Sequence, residues 1–127
     1  MLTEDDIREA LYACYDTHNP YGKPVNVVDL GLLEAIVLTP DVDAPGAGIA
    51  GVPQKQRLAL TLLATGDEDA STQLAAQIIN RMAGLEQLSG TTIAFTGEPP
   101  WSTARITARG RALLKLDAVQ FPILNNR

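Results

Sequence analysis

The run Pro24-Val25-Asn26-Val27-Val28-Asp29-Leu30-Gly31-Leu32-Leu33-Glu34-Ala35-Ile36-Val37-Leu38 most constrains how this chain can fold. Its β-branched and aliphatic residues are too few for a long helix, and Thr39-Pro40 ends it, so it predicts a central strand. Asp29 lies just before Leu30-Gly31-Leu32, which sets a carboxylate where the backbone enters the core. Gly31 permits a tight bend or a close approach there. That corner is the first candidate site. The second is Glu98-Pro99-Pro100-Trp101-Ser102, in which the only tryptophan follows a diproline, and the two stretches are expected to meet.

The surrounding pattern predicts an α/β protein, an α+β two-layer arrangement in the order helix-strand-strand-helix-strand-helix around one small mixed sheet. Thr3 caps a helix over residues 4–15, with Glu4, Asp5 and Asp6 in its first turn. Residues 57–64 alternate as a second strand, antiparallel to the first across a long hairpin loop at 40–56 rich in proline and glycine. Asp67 or Asp69 caps a helix over 70–83, with Leu74, Ile78, Ile79, Met82 and Leu85 on one face. Thr91 to Thr96 form a third strand, parallel to its partner because a helix intervenes. Ser102 or Thr103 caps a last helix to Leu114, packing Ile106, Leu113 and Leu114 inward and leaving Arg105, Arg109, Arg111 and Lys115 wet. Residues 116–127 read as a C-terminal docking tail.

The 127 residues fit one domain spanning 1–127, folding alone or as a small homo-oligomer. A net charge of -5 excludes a sequence-independent grip on nucleic acid or on an anionic membrane. The opening Met1-Leu2-Thr3-Glu4-Asp5-Asp6 lacks the positive region of a secretory signal, no stretch has the length of a membrane span, and the expected location is cytoplasmic.

Cys14 is the only cysteine, so one chain cannot supply a thiolate cluster for zinc or for an iron-sulfur centre, and no resident cofactor or metal is expected. Cys14 and His18 are spaced for a two-ligand clip, but Asp16-Thr17 breaks the helix and two further soft ligands are missing. With one histidine there is no nucleophile, base and acid constellation, which ranks an enzyme below a binding factor. Each candidate has a plainer alternative: Asp29 as a turn or cap carboxylate, Trp101 as a packing anchor, and Asp67-Glu68-Asp69 as a solvated cap.

A helix ending in Tyr15-Asp16, then Val25-Asn26-Val27-Val28-Asp29-Leu30-Gly31-Leu32, Leu60-Thr61-Leu62, a helix and strand, and Pro99-Pro100-Trp101-Ser102 before a last helix together resemble the metal-sulfur cluster assembly domain family. That family includes SufT-type iron-sulfur maturation factors and PaaD-type proteins of aromatic-ring degradation. The resemblance covers roughly residues 4–116. It implies a compact α/β domain that assists iron-sulfur cluster assembly or delivery by contact with assembly proteins or apo-targets, with functional positions at Asp29, Gly31, Asp67, Pro100 and Trp101. In the family a threonine, small residue, proline, glycine, cysteine pattern usually follows the second strand. Here Leu63-Ala64-Thr65-Gly66-Asp67 stands in its place, and a carboxylate can form neither a persulfide nor a thiolate. The aspartate-proline-glutamate that follows the family's first helix is likewise altered, to Asp16-Thr17-His18-Asn19-Pro20. The competing reading is a scaffold or regulatory interaction domain that kept the fold and lost the cluster-related chemistry.

Overall fold

In the computed structural model, residues 1–16, 21–64 and 67–115 are described. The expected positions of His18 and of the 116–127 tail, and two residues of the altered cysteine motif, Thr65 and Gly66, lie outside them. The chain forms α1 (Glu4–Leu11), β1 (Tyr15–Asp16), β2 (Val25–Asn26), β3 (Leu33–Pro40), β4 (Gln56–Leu63), α2 (Glu68–Met82), β5 (Leu88–Thr96), a 3₁₀ turn (Thr103–Arg105) and α3 (Ala108–Leu114). This is the expected α+β class. β3 runs antiparallel and β5 parallel to β4, giving a mixed sheet of order β3-β4-β5, while β1 and β2 pair in a separate two-stranded ribbon.

Register explains the layers. Ile36, Leu60 and Ile93 pair across the sheet, as do Leu38, Leu58 and Thr91, and Leu62 pairs with Phe95. Alternation puts this set on one face, packed with Ile7 and Leu11 of α1 and Leu74, Ile78 and Met82 of α2 in a single core. Val37, Ala59 and Ala94 alternate to the opposite face and are exposed. Thr3 closes a capping box with Asp6, and Asp67 caps α2 by accepting from the Ala70 amide at 2.9 Å.

Several expectations are corrected. The run from Pro24 to Leu38 is not one central strand: Val25–Asn26 joins the ribbon, residues 27–31 turn, and β3 is an edge strand beside central β4. The cause is local, since Asn26 and Asp29 exchange hydrogen bonds (Asn26 Nδ2 to Asp29 Oδ2, 2.7 Å; Asp29 N to Asn26 Oδ1, 2.8 Å) and Gly31 adopts φ 80°. The first helix stops at Leu11 because Tyr15 pairs instead with Asn26, and the Gln77 side chain on α2 both accepts from the Tyr15 amide (2.8 Å) and donates to its carbonyl (3.0 Å). The last helix is broken at Ile106, whose ψ of 130° is extended; the α3 cap is Thr107, which accepts from Gly110 N at 3.0 Å. Ile106 and Leu114 are buried as expected, but Leu113 and Ile79 point outward, about half exposed.

Candidate functional site

The turn between β2 and β3 is clasped by the segment from Trp101 to Gly110. The Trp101 indole donates to the Leu30 carbonyl at 2.7 Å across 71 residues of sequence. Arg105 Nε donates to the Gly31 carbonyl at 2.8 Å, and its guanidinium lies 3.7 Å from Glu34. The Thr107 amide donates to the Asp29 carbonyl at 2.9 Å, and its hydroxyl donates to Asp29 Oδ1 at 2.8 Å. The two sequence motifs therefore meet, and backbone carbonyls of the turn are their meeting points.

Two glycines make the approach close enough. A Cβ on Gly31 would stand 2.2 Å from the Arg105 carbonyl oxygen, and one on Gly110 would stand 2.6 Å from the Asp29 carbonyl oxygen. Either would collide with main chain that cannot rotate away.

Asp29 is 2% exposed, and its carboxylate is committed on three sides. Oδ1 accepts from Thr107, while Oδ2 accepts from Asn26 and faces Arg109 Nε at 3.3 Å. Arg109 also lies 4.9 Å above the centre of the Tyr12 ring, so it bridges α1 and the turn. With these partners in place the carboxylate sets the shape of the corner, and acceptors aimed at solvent are not what it offers. Trp101 is half-buried against the core, whereas Pro100 is exposed.

Asp67 sits elsewhere. It is exposed at the α2 start, and its side chain accepts from Ala70. Both the Asp29 turn and the β4–α2 connection flank the sheet end where Leu63 N donates to Leu32 O at 2.8 Å, yet no side-chain bond joins Asp29 to Asp67 among the described residues. Asp67 instead lines a shallow groove of ≈ 630 Å³ between α2 and β5 with Ala64, Ala75, Ile79 and Phe95. Cys14 is fully buried; burial pushes its thiol up, against a smaller lowering by Arg81, so it is neither accessible nor activated. Among the described residues no three His, Cys, Asp or Glu side chains are grouped to hold a metal.

Sequence reasoning missed Asn26, Arg105, Thr107 and Arg109 as parts of the corner. The signal for two of them was present. Asn26 lies three residues before Asp29, the spacing of a side chain bonding its own turn, and Thr107 lies three before Gly110, the spacing of a cap. Helical spacing alone makes the arginines a solvated helix face. Only the break at Ile106 turns Arg105 back onto Gly31, leaving its side chain 28% exposed.

No family model matches the chain, and no curated protein matches it. The structure of a domain of unknown function, DUF59, from Bacillus anthracis superposes with a TM-score of 0.61, covering 89% of this chain and 92% of that one at 19% identity. The likeness is one of fold. No helix among the described residues is long and apolar enough to cross a membrane.

Proposed function

We propose that this protein is an accessory factor in iron-sulfur cluster assembly or iron-sulfur protein maturation, acting in the cytoplasm by binding assembly proteins or apo-targets and not by catalysing a reaction. The observation that carries the reading is the fold shared with a DUF59 domain, the class to which SufT- and PaaD-type proteins belong, in a chain that also carries their motif-like corner. The clasp of Trp101, Arg105 and Thr107 on the Asp29 turn supports it, because a rigid, cross-braced loop end is a preformed surface that loses little entropy on binding.

The cluster in this reading is cargo held by the partner. The chain's own donors do not fit a resident cluster: Cys14 is enclosed by the core, and Asp67, where the family pattern has its cysteine, supplies a hard oxygen already used as a cap. The test is depletion of the protein from its native cells, followed by measurement of cluster occupancy in several iron-sulfur proteins against non-cluster controls. Lower occupancy with unchanged polypeptide levels is expected. Unchanged occupancy would favour the scaffold or regulatory reading, in which the fold persists without the pathway.

A further inference from the structure

Among the described residues β5 is an edge strand, nine residues long, Leu-Ser-Gly-Thr-Thr-Ile-Ala-Phe-Thr, with neither a charge nor a proline. Sheet edges of this length are normally blunted by such residues because an open row of amides and carbonyls recruits other strands. The opposite edge, β3, carries Glu34 and ends at Pro40, so the two edges are treated differently within one sheet.

Beside this edge runs the α2–β5 groove. Its floor is Ala64, Ala75, Ala76, Ile79 and Phe95, its mouth carries Asp67 and Glu68, and among the described residues no lysine or arginine lines it. Ile93 and Phe95 pair with Leu60 and Leu62 on the helix-facing side of the sheet. A strand added outside β5 would therefore direct every second side chain over the groove, with main-chain bonds supplying affinity and the pocket supplying selectivity.

We propose that β5 and this groove dock an extended segment of a partner protein, one with alternating apolar side chains and a lysine or arginine placed to meet Asp67 and Glu68. A second copy of this chain fits less well. Antiparallel pairing of two β5 strands would bring Glu86, just before β5 in one copy, toward the Asp67–Glu68 end of the other, and each copy carries a net charge of -5. The proposal rests on the reading of the chain as a partner-binding factor, but it needs no cluster component. Failure of the peptide test below would therefore leave the maturation reading standing, and failure of the depletion test would leave this one.

The probe is a fluorescein-labelled decapeptide of alternating leucine and threonine with lysine at both ends, titrated against the full chain by anisotropy at low salt. Saturable binding is expected, weakened about tenfold when glutamates replace the lysines, about tenfold by Ile79→Ser, and about fivefold by Glu68→Lys. Ile79 is about half exposed and Glu68 lies in the first turn of α2, so both variants should stay folded with urea midpoints lowered only modestly, and each binding loss is read on urea-free, fully folded protein. Amide shifts on binding should concentrate in residues 91–96 and 71–79. Absence of saturable binding, or binding indifferent to Ile79→Ser and Glu68→Lys, overturns the proposal. So does a wild-type dimer that Ile79→Ser dissociates, which would assign the edge to a second copy. Groove amides that shift when residues 116–127 are removed, without peptide, would assign it to the chain's own tail.

Discussion

Replacing Asp29 tests whether the corner is held by buried hydrogen bonds or by its ion pair. Asp29→Ala removes two bonds to a carboxylate, a buried one from Asn26 Nδ2 at 2.7 Å and a partly buried one from Thr107 Oγ1 at 2.8 Å. At about 1.5–2 kcal/mol each the loss is about 3–4 kcal/mol, with the Asn26 amide left unpaired in the core. The Arg109 contact adds little, because that side chain is 64% exposed and returns to water when its partner goes. Arg109→Ala leaves the buried Asp29 carboxylate with its Asn26 and Thr107 bonds and also loses the Tyr12 contact, so it should cost about 1 kcal/mol. Asp29→Asn keeps the shape, and its new amide can donate to the Thr107 oxygen while its carbonyl accepts from Asn26. Only the charge assistance is lost, about 1–2 kcal/mol. Urea unfolding followed by Trp101 fluorescence is a suitable assay, since that ring bonds the neighbouring Leu30 carbonyl. If Arg109→Ala costs as much as Asp29→Ala, or if Asp29→Asn costs as much as the alanine, the account of the corner is wrong.

Further expectations concern other parts of the molecule. Trp101→Ala should destabilise by about 3 kcal/mol, the low end for a large aromatic because the ring is only half-buried, and Trp101→Phe by about 1 kcal/mol for the lost bond to Leu30; equal losses in urea midpoints would assign the effect to the bond alone. The Asp41 carboxyl is held below its ordinary value of 3.8, chiefly by the hydrogen bond from Ser89, with the Asp43 amide and Arg57 adding to it and desolvation opposing. A depressed carboxylate stabilises the fold above that value and loses its contribution as pH falls through the lower folded value, so the stability gap between wild type and Asp41→Asn should narrow from pH 7 toward pH 3 in urea titrations; a constant gap would refute the linkage. Cys14 should react with an alkylating reagent only as fast as the protein opens, whereas the thiol in Asp67→Cys, exposed at a helix start, should react far faster in the native state. Comparable rates for the two would contradict the assigned burial.

The elements that sequence pattern disclosed are those whose geometry is dictated within a few residues. The alternation of 57–64, the capped apolar stripe of α2 and the β-branched run ending at Thr96 each carry their own period, and each stands within a few residues of its expected bounds. What pattern could not disclose depended on partners distant in sequence. The apolar run from Val25 reads as one strand until Asn26 and Asp29 bond each other and Gly31 takes a positive φ. Tyr15 reads as helix until Gln77, 62 residues away, bonds its backbone. The corner behaved in the same way: Asp29 and Trp101 stood out as residue types in unusual settings, but Thr107 and Arg105 gained importance only through contacts across 78 and 74 residues.

The central claim, that this domain serves iron-sulfur maturation by binding partners, is tested most directly by native co-purification. The full chain would be captured from its own cells under anaerobic conditions, with associated proteins quantified against a mock bait. The account predicts that cluster-assembly components or iron-sulfur apoproteins are the principal enriched species. Enrichment of unrelated complexes, with those proteins at mock levels, would contradict it.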